Sequence, residues 1–423
     1  MSLTSELTRS NFLYRTWEGF SHVMRFVVRT DHEIDGQALA ASVQEAAKRY
    51  PYFCIRIVRN GEDYEILPNK EPVPVTAGAK PICLGAGEAN GHYIAAAFRE
   101  DTIYFDISHN LGDAKGFVPW IKTVLYLYLT KTVDPDLDPE GVNLPGDPFL
   151  PNETEDPFDG LVIPDDLEPL YTMKYQQAFV PDTRYAQNPG RIDYYVKADA
   201  AQFTDVFRML DGSPIVLSSY FLKEALKLLF PDRDGLPVCV SIPHSLREGL
   251  LGENNYHDQL SYVMIRYDQK MEHLPMDRQL TAGRGSIFLQ CAWENMLCQI
   301  RSNLAFANEL SSLPTVEERR AASRNAVSQF ILNPETMVMT YPGRINWGAA
   351  AAHIVSVYGH CSVLAAPLMI FIVPLNNAFY FNFQQRDNTD IYAETFVSLL
   401  RGHGIDAEVT GSAEAELCSV YIP

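Results

Sequence analysis

The chain has 423 residues, a formal net charge of −19 at pH 7, 47% hydrophobic residues and 21% charged residues. That length exceeds the usual span of one hydrophobic core and predicts two domains of ordinary globular composition, not a disordered or fibrous chain. The acidity, with no run of basic residues anywhere, speaks against nucleic acid as a partner.

The first elements follow from periodicity. Met24 to Arg29 reads as a strand, Asp35-Gly36 as a turn, and Leu39, Val43 and Ala46 as one face of a helix that stops before Pro51. Phe53 to Val58 and Tyr64 to Leu67 read as a hairpin around Asn60-Gly61. In TIYFDISHNLGDAKGF, Ile103, Phe105 and Ile107 alternate with Tyr104, Asp106 and Ser108, which predicts a strand with one apolar face. A helix follows with Phe117, Trp120, Ile121, Val124, Leu125 and Tyr128 on one side.

Between Val133 and Pro169 there are twelve Asp or Glu, eight Pro and no Lys or Arg. Such a stretch builds no core, and its prolines oppose helix and strand. It predicts a solvated crossover, which divides the chain into residues 1–132, a joining segment 133–180, and residues 181–423. Downstream the same grammar returns. Ile192, Tyr194 and Val196 alternate as a strand, and a helix follows Asp199 with Phe203, Val206, Phe207 and Leu210 on one face. Next come a helix over Ser218 to Phe230, strands at Val238 to Ile242 and Leu260 to Ile265, and one long helix from Ile287 to Ala307. Strands at Ile354 to Val357, Leu368 to Val373 and Ala378 to Phe383 precede a last helix, Tyr392 to Leu400. The pieces GAGEANG and TAGRGS match no nucleotide-binding fingerprint and read as turns.

Seven scattered cysteines without a C-x-x-C pair predict neither a disulfide framework nor a metal site, and fit a reducing cytoplasm. The chain opens without a basic start and apolar run, so no signal peptide is expected. The apolar run Cys361 to Leu375, broken by Pro367 and Pro374, is shorter than the roughly 20 residues of a membrane span.

His109 is the best candidate for chemistry. It stands where its strand ends, fixed in place yet free to face a cleft, and Asp113 four residues on is set to cap the next helix. The spacing His-x-x-x-Asp is weak alone. It recurs at His273 and Asp277, where Pro275 and a charged context mark a loop coincidence. A positioned imidazole removes a proton from a weak nucleophile as it attacks. No G-x-S-x-G elbow is present, so a covalent serine intermediate is not expected.

The segment with His109, Asp113 and Gly116 resembles the active-site stretch of the superfamily that includes chloramphenicol acetyltransferase, peptide-synthetase condensation domains and alcohol acetyltransferases. VCVSIPHSLREGL, with Pro243, Leu246 and Arg247, resembles that superfamily's strand, proline and arginine segment. MTYPGRINWG, with Thr340, Tyr341, Pro342 and Gly343, resembles its serine-asparagine-x-glycine turn. In overall order the chain is most similar to uncharacterised bacterial proteins that themselves resemble alcohol acetyltransferases. The resemblance covers about Trp17 to Gly404. It implies an α/β fold of two chloramphenicol acetyltransferase-like domains with the active site in the cleft between them. It implies acyl transfer, with acetyl-CoA or another acyl-CoA as co-substrate, no bound cofactor, and a small-molecule alcohol or amine as acceptor.

Under that resemblance His109 is the general base, Asp113 pairs with Arg247 in a structural ion pair, and Thr340 is an oxyanion donor. Gly116 would contact substrate; Tyr341 and Trp347, read from the residues themselves, line a substrate pocket or, as aromatic residues near strands mostly do, fill the core. The chain departs from the pattern at Ala114, Tyr341 and Pro342, and Ser108 stands where condensation domains carry a second histidine. The net charge and Ser108 count against a carrier-protein donor. Two alternatives stay open: a free-standing condensation-type enzyme, and a non-catalytic binding protein on the same scaffold. His244 reads as a loop histidine.

Overall fold

The computed structural model describes residues 8, 10, 13–17, 20–173, 177–187, 191–209, 213–233, 235–332, 335–362, 366–415 and 417–423. Leu210, in the expected helix after Asp199, lies outside them. Strands run in chain order as β1 (Val23–Thr30), β2 (Ile55–Asn60), β3 (Asp63–Pro68), β4 (Val75–Ala77), β5 (Ile94–Arg99), β6 (Thr102–Ser108) and β7 (Ile192–Asp199). They continue as β8 (Val238–Ser245), β9 (Leu260–Tyr267), β10 (Met337–Thr340), β11 (Ile354–Cys361), β12 (Leu368–Leu375), β13 (Ala378–Gln385) and β14 (Ala407–Glu414). The helices are α1 (Gly36–Ala47), α2 (Ala114–Thr132), α3 (Ala200–Met209), α4 (Pro214–Leu229), α5 (Gln269–Glu272), α6 (Met276–Gln290), α7 (Trp293–Ser312), α8 (Val316–Leu332) and α9 (Ile391–Gly402).

Two large sheets organise these elements. The first has the order β11-β1-β6-β5-β4, and the second β14-β7-β13-β12-β10-β8-β9. In the first, Met24, Phe26 and Val28 of β1 and Phe105 and Ile107 of β6 bury one face against Leu39 and Val43 of α1 and Trp120, Ile121 and Val124 of α2. Period-2 strands against period-3.6 helices make this core. The Phe105 and Trp120 rings meet edge to face at 5.5 Å. The other face of β6 is buried too, contrary to the one-sided expectation. Asp106 on that face is held by Arg25 through bonds of 2.6 and 2.7 Å.

In the second sheet Val196, Val240, Ile265, Met339, Ile370 and Phe381 face Phe221 and Leu226 of α4 and Phe396 and Leu400 of α9. The registers Gln384↔Asp193, Gln384↔Met369, Val338↔Met369 and Val338↔Ser241 put a more polar set on the opposite face. That face looks at the first sheet. Phe371 meets Phe26 edge to face at 5.8 Å, and Asp193 bonds the His360 ring at 2.6 Å.

The sheets do not follow the linear division of the chain. Strand β11 comes from the segment 181–423, yet it pairs antiparallel with β1, Val28 opposite Val357. Gly359 allows this crossing, because a Cβ there would lie 2.4 Å from the Phe371 ring.

Between Thr132 and Ile192 no described residue is in a helix or strand. The segment is nevertheless anchored, and one of its acids is buried rather than solvated. Glu153 takes two bonds from Arg49, at 2.7 and 2.8 Å, and one from the Tyr52 hydroxyl at 2.6 Å. The expected helix Ile287 to Ala307 is broken into α6 and α7. The Asn295 side-chain amide donates to the Leu289 carbonyl at 2.7 Å and so caps the last turn of α6. TAGRGS is helical, inside α6 and not a turn. A Cβ at Gly283 would stand 3.3 Å from Val216, so glycine lets this helix pack close, and tertiary contact overrides its weak propensity.

Candidate active site

Strand β6 ends at Ser108, and the chain turns with the Leu111 N–H on the Ser108 carbonyl. His109 sits in that turn. Its own N–H donates to the His22 carbonyl at 2.8 Å, and Asn110 donates to the Thr16 hydroxyl at 2.6 Å. The segment before β1 thus lies along the loop that carries His109. The His22 ring approaches the His109 ring edge to face at 6.2 Å. Burial, aided by the nearby charges of His109 and Arg15, pushes the His22 imidazole down to about 3, so it is neutral at physiological pH.

Two carboxylates flank this loop, and they do different things. Asp113 caps α2, accepting the Gly116 N–H at 3.1 Å. Its two oxygens take a fork from Arg247: Nη1 to Oδ2 at 2.6 Å and Nη2 to Oδ1 at 2.7 Å. Both side chains are buried, at 0% and 2% accessibility. The rest of the guanidinium donates to the Asn255 and His257 carbonyls. Asp258 is the acid beside the imidazole, with Oδ2 3.6 Å from His109 Nδ1. Burial pushes the Asp258 carboxyl upward, and the His109 charge opposes that rise.

One extended stretch serves both carboxylates. The Gln259 N–H reaches Asp113 Oδ2 at 3.3 Å while the neighbouring Asp258 side chain turns to His109. Asn255 fixes this stretch, accepting from the His257 N–H and the Gln259 amide and donating to the Asn152 and Glu155 carbonyls. The crossover, the 246–259 loop and the His109 loop are therefore one hydrogen-bonded unit. The side chains of His109 and Asp258 remain 22% and 32% accessible, so both meet solvent.

No family model and no curated protein sequence matches the chain. Solved structures do. TRI101 of F. graminearum, complexed with ethyl coenzyme A, superposes with a TM-score of 0.56 at 11% identity over 95% of this chain and 98% of that one. The chain has the two-domain chloramphenicol acetyltransferase-like fold. TRI3 trichothecene 15-O-acetyltransferase from Fusarium sporotrichioides gives a TM-score of 0.53 at 11% identity, covering 94% of both chains. Polyketide synthase associated protein 5 from Mycobacterium tuberculosis gives 0.52 at 11% identity, covering 94% and 95%.

Within this fold the residues singled out in the sequence separate. His109, Asp113 and Arg247 come together, though Arg247 is 134 residues from Asp113. Thr340 ends β10 on the same side of the sheet as Val338, the side that faces the first domain. His273 is exposed just after α5, away from any strand-to-helix junction. His244 belongs to β8 and not to a loop, on the same side of that strand as Ile242.

Three expected substrate contacts have other places. Trp347 is 3% accessible and part of the first core. Tyr341 packs on the second core with Phe379, ring centroids 6.3 Å apart, because the chain leaving β10 turns it to the helix side. Gly116 is buried on the first turn of α2, where a Cβ would lie 2.1 Å from the Tyr256 carbonyl oxygen. We expect Gly116→Ala to cost at least about 1–3 kcal/mol in urea denaturation, since backbone must shift to admit the methyl group.

Asp258, Arg15 and His22 escaped the sequence reading. Asp258 lies in NNYHDQ, which matches no motif, and the segment around Arg15 has no clear period.

Among the described residues no group of His, Cys, Asp and Glu is arranged to hold a metal ion, and no helix is long and apolar enough to cross a membrane. The seven cysteines are all free.

Proposed function

We propose that the chain is a CoA-dependent acyltransferase that moves an acyl group, acetyl being the first candidate, to an alcohol or amine, with His109 as general base. The observation that carries this reading is the accessible His109 ring at the end of β6, its Nδ1 facing Asp258. It lies in a fold shared with a protein named as a 15-O-acetyltransferase and with proteins crystallised with coenzyme A.

The chemistry runs as follows. The Asp258 carboxylate, 3.6 Å from Nδ1, favours the tautomer protonated on that nitrogen, which leaves Nε2 free to accept. Nε2 takes the acceptor's proton as the acceptor oxygen or nitrogen attacks the thioester carbonyl. The resulting oxyanion is met by the Thr340 hydroxyl. Collapse breaks the carbon–sulfur bond, and the imidazolium returns its proton to the departing thiolate. No covalent enzyme intermediate is required. Asp113 and Arg247 are positioning residues, holding the turn that carries His109.

The test is thiol release from acetyl-CoA across a panel of alcohols and amines, with an acyl-carrier protein donor run in parallel. CoA-dependent release supports the reading. Release only from the carrier protein replaces it with the condensation-type alternative. Silence with both donors, alongside tight small-molecule binding, replaces it with a binding function. Within the same assay Asp258→Asn should lower kcat about tenfold or more with KM little changed. At roughly 4 Å a unit charge stabilises the imidazolium by about 1–4 kcal/mol, depending on local screening.

A further inference from the structure

We infer that Ser362 is a positioning residue for His109, and that the second sheet sets the place of the base through the Ser362 hydroxyl. This role rests on the acyl-transfer reading of His109 and adds to it a residue far along the chain.

The geometry is that of one peptide group held at both ends. The peptide joining His22 to Val23 accepts the His109 N–H on its carbonyl oxygen at 2.8 Å and donates its own N–H to Ser362 Oγ at 3.0 Å. A peptide group is planar and stiff, so a shift at one end moves the other. The Ser362 hydroxyl in turn donates to the Ser21 carbonyl at 2.5 Å, on the preceding peptide. One hydroxyl thus grips the chain on both sides of His22, as acceptor and as donor. Ser21 and Ser362 are each 7% accessible and Val23 is 1% accessible, so these bonds lie where an unmade one is costly.

Ser362 is itself fixed from the second sheet. Its N–H continues the pairing of β11 with β1, donating to the Val23 carbonyl at 3.0 Å. Its carbonyl takes Arg191 Nη1, from the residue before β7, at 2.6 Å, and Arg191 Nη2 reaches the Cys361 carbonyl at 3.1 Å. Gln384 of β13 accepts the Cys361 N–H at 3.1 Å, and Asp193 of β7 holds the His360 ring at 2.6 Å. Residues 360–362 are therefore clamped by β7 and β13, and Ser362 is where that clamp meets the chain that carries the His109 N–H.

The imidazole depends on such a hold. The acid beside it stands at 3.6 Å, beyond an ordinary hydrogen bond, so the backbone carries most of the ring's placement. A displacement of roughly 1 Å in a reacting group can cost about a hundredfold in rate. The turn keeps its bonds from Leu111 to Ser108 and from Asn110 to Thr16 when the Ser362 hydroxyl is removed. It loosens without unfolding.

Ser362→Ala removes both hydroxyl bonds, and Ser362→Thr retains a hydroxyl. Hydrogen exchange at the His109 amide and kcat and KM for thiol release from acetyl-CoA are measured in both, with melting temperatures, and Ser362→Ala is repeated on His109→Ala. We expect exchange at the His109 amide to quicken about tenfold or more in Ser362→Ala. Its kcat should fall about ten- to a hundredfold with KM within about twofold, and Ser362→Thr should recover most of both changes. In the His109→Ala background Ser362→Ala should alter the residual rate less than about twofold, because its effect passes through the imidazole. Unchanged exchange, unchanged kcat, a loss that Ser362→Thr shares in full, or an equal loss without His109 overturns the inference and leaves acyl transfer standing. If Ser362→Ala does not fold, Ser362→Cys, whose thiol is a weaker partner, takes its place with smaller changes in the same direction. If wild type releases no thiol, the acyl-transfer reading fails, and exchange at the His109 amide alone decides. Quickening in Ser362→Ala that Ser362→Thr restores supports the hold on His109; unchanged exchange overturns it.

Discussion

Arg247→Ala should lower stability by about 3–5 kcal/mol, read as a shifted urea midpoint, and Asp113→Ala should do the same. Each substitution strands a buried charge, since the two side chains are 0% and 2% accessible. Arg247 loses more than one partner. It also spans the Asn255 and His257 carbonyls, and removing it frees the stretch that places Asp258. Asp113→Ala additionally removes the cap from α2. The double variant should cost clearly less than the sum, because both changes break one interaction. Activity should fall in each as the His109 turn loosens. A cost below about 1 kcal/mol for both single variants would show that the pair holds nothing in place.

How far the sequence reached depends on the kind of signal. Periodicity is local, so β1, α1, β7 and α9 were legible to within a few residues from the spacing of their apolar side chains. Short or buried elements carry too few residues to show a period. Strand β4 has three residues and β10 four, and β5, IAAAFR, alternates in nothing but size. Helix α6 was hidden by its two glycines, and Gly283 packs close against Val216 and Ile265, a contact only the fold reveals.

The site divides the same way. His109 was legible because a strand end followed by a helix cap is a local pattern. Asp258 was not, because nothing in NNYHDQ indicates that the following strand would carry it to the imidazole, 149 positions after His109 in the numbering. Trp347 misled because an aromatic residue beside a strand reads alike whether it lines a pocket or, as here, fills the core. The sheet exchange of β11 had no sequence sign either. Its hydrophobic pattern suits either sheet, and Gly359 gives its reason only once Phe371 is opposite it.

His109→Ala should reduce kcat for thiol release by about 10²–10⁴-fold while leaving the melting temperature within about a degree. The first expectation follows from removing the only base that the proposed mechanism uses. The second follows from the site itself. The His109 ring is 22% accessible, and the nearest acid, Asp258, stands at 3.6 Å, so truncation leaves no buried fork unpaired. This separates His109 from Asp113 and Arg247, whose loss should reach activity through stability. It also separates His109 from Asp258, which in the proposed mechanism supports the ring without taking the acceptor's proton.

The most direct measurement is therefore steady-state release of coenzyme A from acetyl-CoA in the presence of an acceptor, in wild type and in a His109→Ala variant of matched melting temperature. We expect acceptor-dependent release in wild type and its loss in the variant. Acceptor-dependent release that persists unchanged without the imidazole would contradict the assignment of His109 as the base.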